Sequence, residues 1–211
     1  MCNMSSDALH NAHKASRGKP PDLDALYAIA EPKAGYFTAS EAASAGYSRS
    51  LLAHHVRSGM LDRVQHGVYR LRRFPESPRA DLIIAQLRAG EGAAISHESA
   101  LEVYDLSDVL PGEVHVTVPR TASRRTRGVR LHTSPLRSED VTIRDGITVT
   151  VVERTIADVA RSGLLDALVL QAIEQALERG LTTPSRIGRF ADLRGGRAKR
   201  LIDRALGRDR S

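Results

Sequence analysis

The sequence predicts an α+β fold: an N-terminal winged helix-turn-helix, then a second α+β domain with a small, mostly antiparallel sheet flanked by helices. Three observations predict it. Residues 35–71 (GYFTASEAASAGYSRSLLAHHVRSGMLDRVQHGVYRL) hold two capped helical patterns and then two short apolar-alternating runs around His66-Gly67, the order helix, turn, helix, hairpin. Further short alternating runs follow between residues 113 and 151, with the period of strands. Helical periods stand before and after those runs, which suits helices flanking one sheet.

Residues 1–21 are polar and end in Gly18-Lys19-Pro20-Pro21, the composition of a flexible tail. His10 and His13 lie one helical turn apart there, but a loose tail is a poor frame for a metal. Asp22 caps a helix whose Leu23, Leu26, Tyr27 and Ala30 share a face, and Pro32 closes it. Thr38 and Glu41 stand in the T-x-x-E relation of a capping box, so a helix starts at Ala39, and Gly46 supplies its left-handed end. Ser48 caps a second helix through Arg57, stopped by Gly59. The runs Leu61–Gln65 and Val68–Leu71 complete a domain over residues 22–73.

Pro75 and Pro78, set among charges, mark 72–79 as a linker, and a second domain runs over 80–211. Ala80–Ala89 reads as a helix ended by Gly90, and Ser96 caps another through Tyr104. After the Pro111-Gly112 turn, Val114, Val116 and Val118 alternate inward with His115 and Thr117 outward. Val129, Leu131 and Thr133 form the next strand. Asp140 to Arg144 and Ile147 to Val151 flank Asp145-Gly146, a favoured two-residue hairpin turn. Helices resume at Glu153, and Leu165, Leu168, Val169, Ala172, Ile173, Ala176 and Leu177 give an amphipathic helix. The stretch from Arg194 to Arg210 sets Leu201, Ile202, Ala205 and Leu206 among arginines, either to cap the domain or to present a basic face.

Composition bounds the function. The formal charge of +6 and pI near 9.9 favour a polyanionic partner. Cys2 is the single cysteine, which excludes a disulfide framework or a cysteine-based zinc site within one chain and fits a reducing cytoplasm. No stretch reaches the roughly 18 apolar residues of a membrane span, and the N-terminus lacks the apolar core of a secretory signal. A soluble cytoplasmic protein without a membrane partner is expected.

The helix after Ser48 is the expected reading head. At 100° per residue Leu52, Val56 and Met60 face inward, and Ser50, His54 and Arg57 face outward around Ala53, a small surface suited to base edges in the major groove. Ser48, Arg49, Arg63, His66, Arg70, Arg72 and Arg73 are placed for backbone contacts. From Lys33 to Arg73 seven Lys/Arg stand against Glu41 and Asp62, a net +5. The alternatives are a solvated helical hairpin or a winged domain used for protein contacts. A second basic patch, Arg120, Arg124, Arg125, Arg127 and Arg130, falls at the tip of an expected β-hairpin. Phosphate contact, docking to an acidic partner, and a solvated loop guarding a sheet edge all fit it.

No catalytic constellation emerges. Ser96-His97-Glu98-Ser99 is explained as a capped helix start. His115 and His132 lie on the polar sides of neighbouring strands, yet lack an evident third metal ligand. There is no P-loop or Rossmann fingerprint, and Asp158 beside Arg154 orients a helix. The expectation is a non-enzyme with no catalytic residue, no metal and no cofactor.

The run G-x-F-T-x-x-E-A…G-x-S…L…H-V-R-x-G-x-L-x-R-V-x-x-G-V-Y-R resembles the winged helix-turn-helix of AbiEi-type antitoxins from type IV (AbiE) toxin–antitoxin systems. ISHESALEVY (95–104), the strand from Glu113 to Pro119, and Glu153-Arg154-Thr155 followed by Asp158 are similar to that family's second domain. The resemblance covers roughly residues 22–180. It implies a repressor that binds double-stranded DNA at inverted repeats in its own promoter and counters a nucleotidyltransferase-like toxin, without implying direct toxin binding. Two other functions stand beside it. One is a solo winged-helix transcription factor whose second domain senses a ligand or partner. The other is a nucleic-acid-processing enzyme using His97, His115 or His132.

Overall fold

The computed structural model describes residues 19–119 and 127–208. The chain begins with α1 (Leu23–Ala30), capped by the Asp22 carboxylate, which accepts from the Ala25 amide at 3.0 Å. A short 3-10 turn at Glu31–Lys33 leads to β1 (Tyr36–Thr38) and α2 (Ala39–Ser44). The capping box is closed in both directions: the Glu41 amide donates to Thr38 Oγ1 at 3.1 Å, and the Thr38 amide donates to Glu41 Oε2 at 2.8 Å. Gly46, at φ 86°, turns the chain out of α2. Ser48 then caps α3 (Arg49–Arg57) by accepting from the Leu51 amide.

A hairpin of β2 (Leu61–Gln65) and β3 (Val68–Leu71) follows, and β1 pairs with β3, so the antiparallel sheet runs β1-β3-β2. The sequence reading missed β1, although Tyr36-Phe37-Thr38 carries the aromatic and branched residues of a strand. Both faces of this sheet are used. Phe37, Tyr69, Leu61 and Leu71 pack on α1–α3, with Phe37 and Tyr69 stacked at 6.0 Å. Tyr36 and Val68, on the opposite face, join the larger core of the rest of the chain.

That core is built by α4 (Ala80–Ala89), β4 (Ala94–Ile95), α5 (His97–Tyr104), β5 (Val114–Val118), β6 (Val129–Thr133), β7 (Val141–Arg144) and β8 (Ile147–Thr150). Four helices follow: α6 (Val152–Ser162), α7 (Asp166–Glu178), α8 (Pro184–Arg194) and α9 (Gly196–Ala205). The strand order among the described residues is β6-β5-β4-β8-β7. β4 pairs antiparallel with β5 and β7 with β8, whereas β5–β6 and β4–β8 are parallel. The sheet is therefore mixed rather than mostly antiparallel. Two pairings make it so: β6 runs parallel to β5, and β4, a two-residue strand unsignalled in the sequence, sits between β5 and β8 and runs parallel to β8.

The β7–β8 turn is as predicted, with Asp145 at φ 51° and Gly146 at φ 76°, the left-handed pair of a type I′ turn. Gly146 is needed twice, because a Cβ there would lie 2.3 Å from the Pro32 carbonyl oxygen. Arg79 bridges to Asp145 at 3.2 Å, and Arg88 donates to Gln65 at 2.5 Å. The N-terminal part is thus seated on α4 and on the β7–β8 turn.

Two other expectations change. His115 and Thr117 are buried, not outward, since the start of α5 covers their face of β5. Residues 184–194 form α8, where Thr183 caps from its side chain and Pro184 takes the first turn, a start signal present in the sequence. The basic end forms α9, which commits two of its cations inward and leaves Arg200 and Arg204 exposed: Arg197 donates to Leu164 O at 3.0 Å, and Lys199 bridges Asp192 and Asp203.

The helix that organises the larger core is α6. Every residue from Val152 to Ala160 is buried, including Glu153, Arg154 and Asp158. Arg154 pairs with Asp158 at 2.6 Å, one turn along, and with Asp140 at 3.2 Å; Asp158 also meets Arg194 at 2.8 Å. Glu153 accepts from Thr182 and pairs with Arg186.

Four substitutions test this packing. Arg154→Met strands the facing carboxylates and should cost about 3–5 kcal/mol, whereas Arg137→Ala, at an exposed bridge to Glu139, should cost under about 1 kcal/mol; denaturant unfolding of both variants checks the contrast. Thr38→Ala opens the capping box and should cost about 0.5–2 kcal/mol by the same measurement. The Glu41 carboxyl is pushed up by burial, but the hydrogen bonds and charge from Lys33 and Thr38 outweigh this and hold it below its ordinary 4.5. Its stabilisation is therefore complete above pH 4.5 and lost as pH falls through the lowered value, and Glu41→Gln should flatten that part of a stability–pH curve.

Candidate nucleic-acid interface

The surface of α3 is set by its helical period. Leu52 is fully buried and Val56 and Met60 pack against the small core, while Ser50, Ala53, His54 and Arg57 are exposed. Ser48 Oγ lies 2.9 Å from Ser50 Oγ, so the capping hydroxyl also steadies the first residue of the outer face. The rings of His54 and His55 meet edge to face at 5.4 Å, and His55 leans on Tyr47 at 5.7 Å. Burial, and then the neighbouring His54, lower the His55 pKa below its ordinary value. His55 is thus drawn toward the core and His54 toward solvent.

The hairpin supplies fewer available cations than its sequence suggests. Arg63 and His66 are exposed at its tip and lie within hydrogen-bonding distance of each other at 3.2 Å. Arg72 gives two hydrogen bonds to Asp62 Oδ1, and Arg70 donates to Asp62 Oδ2 at 3.0 Å. Arg70 is also near Glu76 and lies over the Tyr36 ring, with its side chain only 12% exposed. The cause is strand parity: Arg70 registers opposite Asp62 and Tyr36, on the sheet face turned toward α4. Its sequence-predicted place on the backbone-contacting surface does not fit this burial. Lys33 is likewise paired with Glu41. Among the described residues, Arg49, Arg57 and Arg73 are exposed without an ion-pair partner; Arg49 and Arg57 lie on α3 itself, and Arg63 and Arg73 are exposed on and just after the hairpin.

The second basic patch changes shape. β5 and β6 pair in parallel, Val114 with Val129 and Val118 with Thr133, so they are not the two arms of a hairpin. The Val114 amide donates to Gly128 O at 3.0 Å, which puts Gly128 at the opposite end of β5 from Pro119. Arg127 and Arg130 are exposed. Arg120, Arg124 and Arg125 lie outside the described residues.

The structure also adds a third residue to the pair His115 and His132, which the sequence reading set on neighbouring strands. His115 and His132 face the same side of the sheet with ring centroids 5.1 Å apart, and His97, the first residue of α5, stacks on His132 at 3.5 Å. His97 Nδ1 lies 3.0 Å from Ser96 Oγ, which also accepts from Thr117 Oγ1 at 2.8 Å. The Ser96 side chain is spent there and does not cap α5. Burial, followed by His132, pushes His97 down to about 3, and burial, followed by His115 and Arg130, pushes His132 down to about 4. Both rings are neutral at physiological pH. The approach of His115 and His132 agrees with their expected places on neighbouring strands, whereas nothing in the linear spacing announces that His97 joins them.

The comparisons with known proteins bear on this surface. Residues 24–72, the span from α1 to the end of the hairpin, match the family model described as transcriptional regulator, AbiEi antitoxin. Among solved structures, the chain is similar to the RV2827C protein from Mycobacterium tuberculosis, with TM-score 0.53 and 15% identity over 86% of this chain and 74% of that one. At that identity the likeness concerns the fold. No match was found among curated proteins. No helix among the described residues is long and apolar enough to cross a membrane.

Proposed function

We propose that the chain is a DNA-binding transcriptional regulator of the AbiEi antitoxin type. Residues 22–73 act as its winged helix-turn-helix and residues 80–211 as its second domain. The observation that carries the reading is the outer face of α3. Ser50, Ala53, His54 and Arg57 stand exposed, with Arg49, along a capped helix within the segment that matches the regulator family, and Arg63 and Arg73 are exposed on and just after the hairpin. Ser50, His54 and Arg57 read base edges, and Ser48, Arg49, Arg63, His66 and Arg73 hold phosphates. Arg72 contributes from within its Asp62 pair. Arg127 and Arg130 supply a further basic contact, with Arg120, Arg124 and Arg125 beside them in the chain.

In this reading the protein works in the cytoplasm, binds inverted repeats in its own promoter, and represses an operon that includes a nucleotidyltransferase-like toxin. It opposes that toxin without requiring a stable complex. A second reading, a solo regulator that senses a ligand, is favoured by one observation. A cleft of about 1100 Å³ lies between the N-terminal part and α4, lined by Pro32, Lys33, Glu41, Gln86 and Gly146 among others. A ligand wedged there would bear on the seat of the N-terminal part.

Titration of the chain on its own upstream DNA against a scrambled duplex, near physiological salt, tests the main reading. The expected preference is about a thousandfold or more, falling toward unity when Ser50, His54 and Arg57 are replaced by Ala. Equal, salt-labile binding to both duplexes would count against a specific operator there. Arg57→Ala alone should lose about 1–3 kcal/mol of discrimination, and Arg73→Ala should weaken both duplexes alike and lower the salt slope by about one. Arg70→Ala should leave DNA affinity nearly unchanged, a result that separates its packing place from the phosphate contacts.

A further inference from the structure

The three clustered histidines stand apart from the DNA-binding reading and have no part in it. His97, His115 and His132 each offer a ring nitrogen, and these atoms all lie within 4.8 Å of one another. Three separate elements deliver them: the first residue of α5, the middle of β5 and the neighbouring edge strand β6. Parallel register places His132 beside Thr117, two residues along from His115, so both imidazoles share a sheet face. His97 reaches that face from a backbone at φ 52°, a conformation that non-glycine residues seldom adopt.

Neighbouring polar groups face one nitrogen of His97 and one of His115, and leave the other nitrogen of each ring available. His115 Nδ1 is held by the Glu98 carboxylate, the orienting contact that metal-bound imidazoles ordinarily make through their second nitrogen. His97 Nδ1 is taken by Ser96 Oγ. His132 Nε2 is buried and has no hydrogen-bond partner. Such an orphaned buried nitrogen is costly unless something satisfies it.

We propose that His97, His115 and His132 bind one divalent transition metal of the zinc class through their Nε2 atoms. Tetrahedral zinc, with Zn–N about 2.0–2.1 Å, wants its nitrogens about 3.4 Å apart. The cluster needs a contraction of up to about 1.4 Å to meet that spacing, with the His132 ring turning out of its stack on His97, a movement open to a half-buried residue on an edge strand. Three imidazoles with no thiolate suit zinc, and cobalt and nickel after it, and do not suit magnesium or calcium. The fourth position faces a cleft of about 430 Å³ lined by His97, His132, Arg154, Arg161 and Arg194 among others. Water or a small anion occupies it, beside Arg154 and Arg194, whose charges are already paired with Asp158 on the same wall. The metal ties α5 to the outer edge of the sheet, where β6 is otherwise held by β5 alone.

The test uses the full chain, stripped with a chelator and titrated with Zn²⁺ and, separately, Co²⁺. The expected result is one equivalent per chain at micromolar or tighter affinity, tetrahedral Co²⁺ absorption bands, and a Tm raised by about 5–10 °C at a hundredfold excess over Kd. His132→Gln should abolish the Zn²⁺-dependent rise while matching the parent Tm in chelator; His10→Ala with His13→Ala should leave it intact. No binding at micromolar metal overturns the proposal, as does binding that survives His132→Gln. Should His132→Gln fail to fold, the parent protein still decides, because a weak octahedral Co²⁺ spectrum excludes this three-nitrogen site.

Discussion

The larger part of this structure depends on keeping one guanidinium neutralised inside its core. Arg154 is 3% exposed on a helix buried on every side, and an unpaired charge there would cost several kcal/mol. Its partners come from different places in the chain: Asp158 one turn along the same helix and Asp140 from the turn before β7, while Arg194 at the end of α8 closes on Asp158. Each pair fixes an element against α6. The orientation of α6 therefore sets the edge where β7 begins, the end of α8, and the cleft beside the histidines, which Arg154, Asp158 and Arg194 also line.

The small sheet β1-β3-β2 is the second constraint. One face closes the small core under α1–α3, and the other lies in the larger core with α4. A three-stranded sheet packed on both sides leaves its neighbouring helices little freedom to shift, which presents α3 as a rigid surface. The same packing explains why alternate residues of the hairpin differ so sharply. Arg63 and His66 reach solvent, whereas Arg70 turns toward α4 and is absorbed by Asp62, Glu76 and the Tyr36 ring. Strand parity, more than charge, decides which arginines are available to a phosphate.

The histidine cluster follows from the strand order. Because β4 inserts between β5 and β8, the start of α5 lies directly over β5, and the parallel partner β6 brings His132 alongside. An antiparallel β5–β6 hairpin would have paired other residues and carried His132 elsewhere.

Local signals were sufficient at most helix starts and turns, the Ser96 cap excepted, because its hydroxyl is taken by His97 and Thr117. The Thr38–Glu41 box, the Ser48 cap, the Asp145-Gly146 turn and the outward set Ser50, Ala53, His54 and Arg57 were all legible from the sequence, because caps, two-residue turns and helical faces are fixed by residues within a few positions of each other. Tertiary structure alone decided the rest. β4 is too short to carry a period, and the inward burial of His115 and Thr117 comes from a helix laid over them. The parallel pairing of β5 with β6, the loss of Arg70 to the core and the arrival of His97 beside His115 and His132 are contacts between distant segments. Their cause lies in strand order and sheet parity, which no local window of sequence contains.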